Sequence, residues 1–190
     1  DSDQLAVYRS DIRLQELCVG MHRVGMRIDA VERKRHDARL SASVRKSEKA
    51  AVELLGRSIN LSSPDQIREL LFEEWGLPWS EENETESGEA STAKDAIYEL
   101  MRTTLPDKIQ AFLQHLIDYR QAARSLAKDV RGLEPDILGR VHPFWHPHSV
   151  VTGRLSCSSP QVQNVPDVRQ DPDSLRSMYI AAPNNVLVAC

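Results

Sequence analysis

The chain has 190 residues, 41% apolar and 27% charged, with a formal net charge of −4. That balance fits a folded globular protein rather than a disordered one, and its acidic sign taken alone speaks against a nucleic-acid binder. No apolar run reaches the roughly 18 residues of a membrane-spanning helix, and DSDQLAVYRS shows no signal peptide, so no membrane association is expected. The N-terminus also lacks an initiator Met, which fits an excerpt or a processed product. Cys18, Cys157 and Cys190 are scattered and odd in number. They give no disulfide framework or zinc spacing and point to a reducing, intracellular compartment.

Along the chain, Leu5, Tyr8, Ile12, Leu14, Leu17, Met21 and Val24 recur at helical spacing, and Gly25 ends the pattern. GMRID then reads as a turn into a short extended piece. A long polar helix follows, with a thin stripe of Val31, Val44, Ala51, Leu54 and Leu55, and stops at Gly56. In INLSSPDQIRELLFEEWGLP, Ser63 is a cap, Pro64 takes the first helical position and Gln66 completes a capping box. Ile67, Leu70, Leu71 and Trp75 form its apolar face. SEENETESGEAS carries five glutamates and no large apolar residue, as a flexible acidic tip would. A cap at Ser91 or Thr92 starts a short helix through Met101. Pro106 opens a long one that buries Ile109, Phe112, Leu113, Leu116, Tyr119 and Ala123 on one side and stops at Gly132.

Beyond Gly132 prolines multiply and apolar runs shorten. Strands are expected at 141–146, 149–155, 178–182 and 186–190, with Pro183, Asn184 and Asn185 turning a final hairpin. Helices first and strands later make an α+β arrangement with a boundary near residue 135.

Charge is unevenly spread. Residues 1–100 hold 14 Lys+Arg against 20 Asp+Glu, a net of −6, and residues 101–190 hold 10 against 8, a net of +2. Arg120, Arg124 and Lys128 recur every four residues and form a basic ridge on the long helix, without acidic partners at the same spacing. Such a ridge is commonly a solvated face; here phosphate binding would explain it. The helix starts at Asn60–Ser63 and Ser91–Thr92 are ready anion sites, though most caps only cap. His142, His146 and His148 lack a nearby carboxylate or thiolate and read as structural or solvent-exposed rather than as zinc ligands.

TGRLSCSSPQVQNVP, residues 152–166, is poor core material but rich in forked hydrogen-bonding groups: Arg154, Gln161, Gln163 and Asn164. Such groups can meet base edges, and in the minor groove a donor-rich strand could test pairing without reading sequence. Gly153 would let backbone approach closely. A polar turn that satisfies its own backbone fits the same residues.

The stretch resembles the signature of family A DNA polymerases, T-G-R-[LI]-S, small residues, then P-x-x-Q-N-[IV]-P. Thr152, Gly153, Arg154, Leu155, Ser156, Pro160, Gln163, Asn164, Val165 and Pro166 all match it. GMRID looks like the family's lead into the thumb, NLSSPDQIRELLFEEWGLP like a capped thumb helix, and DYRQAARSLAK like its last. RVHPFWHPHSVVTGR looks like the start of the palm, and LRSMYIAAPNNVLVAC like the strands before the first catalytic motif. The resemblance implies an upstream linker helix at 1–28, a thumb of long antiparallel helices at 29–134, and the first short antiparallel palm strands at 135–190. It implies that Arg120 and Arg124, with Lys128 on the same ridge, hold the primer–template backbone. Arg154 would reach the minor groove at the primer terminus, with Gln161, Gln163 and Asn164 facing the same region. Asn60, Ser62, Ser63, Ser91 and Thr92 would lie where thumb helix starts meet phosphates.

The family often has Asn where this chain has Gln161. The acidic tip at 81–89 departs from a DNA-facing surface and suggests a solvent-facing or protein-facing role. The complete enzyme would use deoxynucleoside triphosphates and two Mg²⁺ ions held by aspartates expected beyond Cys190. The segment alone is therefore expected to bind DNA weakly and catalyse nothing. A non-catalytic DNA-binding or assembly subunit and one chain of a split polymerase are the rival readings.

Overall fold

A computed structural model describes residues 2–79, 84–85, 88–165 and 173–187. They divide into two units, residues 39–125 and residues 1–38 with 126–190. Among the described residues no helix is long and apolar enough to cross a membrane.

The first unit is helical. It holds the C-terminal part of α2 (Ala30–Leu55), α3 (Pro64–Arg68) with its π-helical continuation Glu69–Glu74, α4 (Lys94–Arg102) and α5 (Asp107–Ser125). Its core gathers Ile67, Leu70 and Leu71 from the second helical stretch, Ile97 and Leu100 from α4, and Phe112, Leu113 and Leu116 from α5. Phe112, Leu113 and Leu116 are each fully buried, worth about 1.5–3 kcal/mol apiece in removed apolar surface. Trp75 meets the Phe112 ring edge-on at 5.2 Å. The expected apolar faces of α3 and α5 are those found. The expected capping box differs. Ser63 Oγ accepts from Gln66 N at a long 3.4 Å, but the Gln66 side chain accepts from Asn60 N at 2.9 Å instead of reaching Ser63. α4 starts at Lys94, later than the Ser91–Thr92 cap predicts, and its N-cap Ala93 has no side-chain cap bond.

The second unit holds α1 (Ser2–Val24), β1 (Met26–Ile28), the start of α2, the π-helical turn Leu126–Arg131, and four further strands: β2 (Arg140–Val141), β3 (Phe144–His146), β4 (Ser156–Ser158) and β5 (Tyr179–Ile180). Among the described residues the pairings are antiparallel. β1 lies between β2 and β5, with Arg27 opposite Arg140 and Ile180. β3 pairs with β4, Trp145 opposite Cys157. Gly25 joins α1 to β1 at φ +62°, and a Cβ there would sit 2.6 Å from the Val141 carbonyl; only glycine satisfies both the turn and the close approach.

Three strand expectations change. The strand expected at 141–146 breaks at residues 142–143 into β2 and β3, which belong to different sheets. Residues 149–152 form bends and a turn, 153–155 are irregular, and the strand begins at Ser156. The Ala182–Asn185 turn forms, with Asn184 at φ +62° and Asn185 N bonded to Ala182 O at 3.0 Å. Yet β5 pairs with β1, and Val186 and Leu187 are not in a strand; residues 188–190 lie outside the described residues. Burial on two helices also differs from the apolar pattern. Val31 is 75% exposed, while His36 and Ser47 face inward on α2. On α1, Leu5, Tyr8, Ile12, Leu17 and Val24 are exposed and Cys18 is buried.

Candidate nucleic-acid interface

In the helical unit, the loop before α3, the segment before α4 and the C-terminal half of α5 enclose an open groove. Its walls include Ser62, Ser91, Thr92, Tyr119, Arg120 and Arg124. Five predicted site residues therefore share one depression. Their roles divide sharply.

Arg120 is half-buried. Its Nε donates to the Leu61 carbonyl at 3.2 Å, and a terminal nitrogen donates to the Thr92 carbonyl. Burial lowers its pKa from the usual arginine value. The guanidinium thus ties the two chain segments that precede α3 and α4 to α5. One turn further on, Arg124 is exposed and forms no hydrogen bond or ion pair among the described residues. Lys128 is likewise exposed, in the π-helical turn.

The hydroxyl-bearing residues are partly engaged. Ser62 Oγ lies 2.9 Å from Tyr119 Oη. Asn60 Oδ1 accepts from Ser62 N at 3.0 Å, closing a local turn. Ser91 Oγ accepts from Ala93 N at 3.1 Å, and Thr92 is 7% exposed. Tyr119 and Arg68 also line the groove. The sequence reading assigned Tyr119 to the apolar face, and its hydroxyl is the signal that could have flagged it. Arg68 bridges Asp65 and Glu89, each at 3.0 Å.

In the other unit, the 152–165 loop is partly self-satisfying. Cys157 Sγ donates to Gln161 Oε1 at 2.8 Å, and the same oxygen accepts from Gln163 N at 3.2 Å. Gln163 Nε2 donates to the Leu155 carbonyl at 3.0 Å. Arg154 and Asn164 stay exposed, with no hydrogen bond among the described residues. The reading of a turn that satisfies its own backbone thus fits Gln161 and Gln163, while Arg154 and Asn164 present their side chains to solvent. Gly153 takes φ +71° with nothing within 4 Å of a Cβ placed on it. The positive φ calls for glycine in this turn. Pro166 lies outside the described residues.

The histidines hold local structure. His142 Nδ1 lies 2.8 Å from the His22 carbonyl and Nε2 3.1 Å from Asp136 Oδ2. These bonds raise the His142 pKa, the His22 carbonyl foremost. Asp136 is lowered by the Arg140 backbone N–H and then by His142. His146 Nε2 is 2.7 Å from Ser158 Oγ, across the β3–β4 pair. Among the described residues no three His, Cys, Asp or Glu side chains form a group that could hold a metal ion.

A helical unit whose groove exposes Arg124, joined in sequence to short antiparallel strands and a polar loop, makes an α+β chain. The chain belongs to DNA polymerase family A, whose family model matches residues 31–190. It is 30% identical over 178 residues to DNA polymerase I of Mycobacterium leprae, covering 92% of this chain and 19% of that protein. It is 29% identical over 190 residues to the thermostable DNA polymerase I of Thermus aquaticus, covering 97% and 22%. The chain thus spans about a fifth of these relatives. Among solved structures it is similar to the POL domain of Pol1 from M. smegmatis in complex with DNA primer-template and dNTP. That match has a TM-score of 0.80 and 28% identity, over 91% of this chain and 30% of the other.

Proposed function

We propose that this chain is the part of a DNA-directed DNA polymerase that grips primer–template DNA during template-directed deoxynucleotide addition. The observation that carries it is the groove cation Arg124, exposed beside the α3 and α4 approaches, in a chain whose family match runs to residue 190. A solved relative holds primer–template DNA and a dNTP in the same kind of domain.

In this role Arg124 and Lys128 meet backbone phosphates, with Ser62 and Ser91 offering hydroxyls at the groove wall. Arg120 acts behind them as a brace. Arg154 and Asn164 face the minor groove at the primer terminus, where acceptors of correct pairs lie in nearly sequence-independent positions. Gln161 and Gln163 hold the loop that carries them. In this reading the part played by these residues is to position the duplex. The five glutamates of the stretch 81–89 would repel phosphate, and in this reading they serve solvent or a protein partner.

Primer extension by the whole gene product, with Arg154→Ala beside it, tests the assignment. Extension and discrimination against a mismatched primer end fall together, by more than affinity for DNA. Unchanged turnover in Arg154→Ala would refute the role of Arg154, and a whole gene product that extends no primer would refute the polymerase.

A further inference from the structure

Arg68 is a groove cation that the DNA-binding role leaves unused. It lies on α3 and lines the same depression as Arg120 and Arg124. Its side chain is 19% exposed, so it is held in place rather than freely solvated. Nε donates to the Ala90 carbonyl at 3.1 Å. Nη1 meets two carboxylates, those of Asp65 and Glu89, each at 3.0 Å. Nη2 has no bond among the described residues. With two carboxylates on one guanidinium, the field at this point of the groove is negative.

The two carboxylates arrive by different routes. Asp65 is the neighbour one turn back on α3 and is 85% exposed, a local pairing of the kind any helix surface offers. Glu89 comes from beyond the helix, on a segment folded against the groove. Thr85 of that segment lines the groove. Thr85 N donates to the Glu89 carbonyl at 2.8 Å, and Glu89 N donates to Thr85 Oγ1 at 3.2 Å. Glu84 pairs with the buried Ala90 in an antiparallel bridge, and Ser91 and Thr92 continue into the groove wall. Backbone bonds therefore fix Glu89 at the groove. Its carboxylate offers Arg68 the same anionic oxygen that a DNA phosphate would offer. At 3.0 Å it offsets much of the attraction a phosphate would feel towards that guanidinium.

We propose that Arg68 is a further phosphate contact of the groove and that Glu89 is its built-in competitor. The duplex backbone gains Arg68 only by displacing Glu89, which holds affinity for DNA below what the groove cations could give. The inference rests on the DNA-binding role and adds regulation to it. Among the glutamates of the stretch 81–89, it gives Glu89 a task within the groove itself.

The test is fluorescence anisotropy of fluorescein-labelled primer–template DNA, titrated with the 190-residue chain across a salt series. The variants are Glu89→Gln, Glu84→Gln, Arg68→Ala, and Arg68→Ala combined with Glu89→Gln. Glu84 is exposed on the same segment and forms no ion pair among the described residues. Its variant removes the same charge without touching Arg68. Glu89→Gln is expected to raise affinity about threefold to tenfold at low salt and to steepen the slope of log affinity against log salt by up to about 1. Glu84→Gln leaves the slope unchanged and affinity within about twofold. In the Arg68→Ala background the gain from Glu89→Gln disappears. Circular dichroism checks that Arg68→Ala stays folded; if it does not, the two glutamine variants decide the matter between them. Equal effects of those two variants, or a gain that survives without Arg68, overturns the proposal and leaves the DNA reading standing. A native chain whose DNA binding is absent or indifferent to salt overturns the DNA reading, and this inference with it.

Discussion

Arg120 Nε donates to the Leu61 carbonyl at 3.2 Å, and the other end of the same guanidinium holds the Thr92 carbonyl. One side chain on α5 thereby fixes both segments that lead into α3 and α4. Removing it leaves two partly buried carbonyls without charged donors. Arg120→Ala is expected to cost about 2 kcal/mol or more of folding stability. Lysine cannot reproduce the fork, so Arg120→Lys restores little. Arg124→Ala, four residues on and exposed, stays within about 0.5 kcal/mol. Urea unfolding separates the two; equal, negligible losses at both positions would remove the brace.

The 152–165 loop offers a similar division. Gln161 and Gln163 bond inside the loop, whereas Arg154 and Asn164 do not. Gln163→Ala frees the Leu155 carbonyl and Gln161→Ala frees the Cys157 thiol. Both should speed amide hydrogen exchange in the loop. Arg154→Ala and Asn164→Ala should leave exchange unchanged and lower affinity for primer–template DNA. Faster exchange in Arg154→Ala would mean that it, too, holds the loop.

His142 and Asp136 set a pH dependence. Both His142 ring nitrogens face oxygen acceptors, so the imidazolium is favoured in the fold and its pKa is raised. A raised value stabilises fully below the unfolded pKa of about 6.5 and is lost as pH climbs through the folded one. Asp136 is lowered, so its contribution is present above about pH 3.9 and is lost as pH falls through its folded value. The stability gap between the native chain and His142→Gln is therefore widest from about pH 4 to 6.5 and narrows above. Thermal melts across pH measure it, and a gap that grew towards alkaline pH would contradict the pairing.

The helices were legible because apolar spacing and caps are local properties. Leu113, Leu116 and Ile67 announced their faces by period alone. What covers a face is not local. Leu5 and Tyr8 keep the helical period and remain exposed, while His36 and Ser47 are buried among groups that sequence spacing cannot assign. Strand positions failed for the same reason. β4 starts at Ser156 because its partner is Phe144–His146, a pairing set 10 to 14 residues away. At the candidate interface, the residue types pointed to Arg120 and Arg124 alike. Only the carbonyls of Leu61 and Thr92, remote in sequence, distinguish the brace from the exposed cation.

The central claim is that exposed cations on this chain engage the phosphate backbone of duplex DNA. A salt series of primer–template binding, with native chain, Arg124→Ala and Lys128→Ala, tests it most directly. The account predicts that log affinity falls linearly with log salt, and that each substitution lowers the slope by about 1 without changing sequence preference. Affinity independent of salt, or slopes identical in all three proteins, would contradict it.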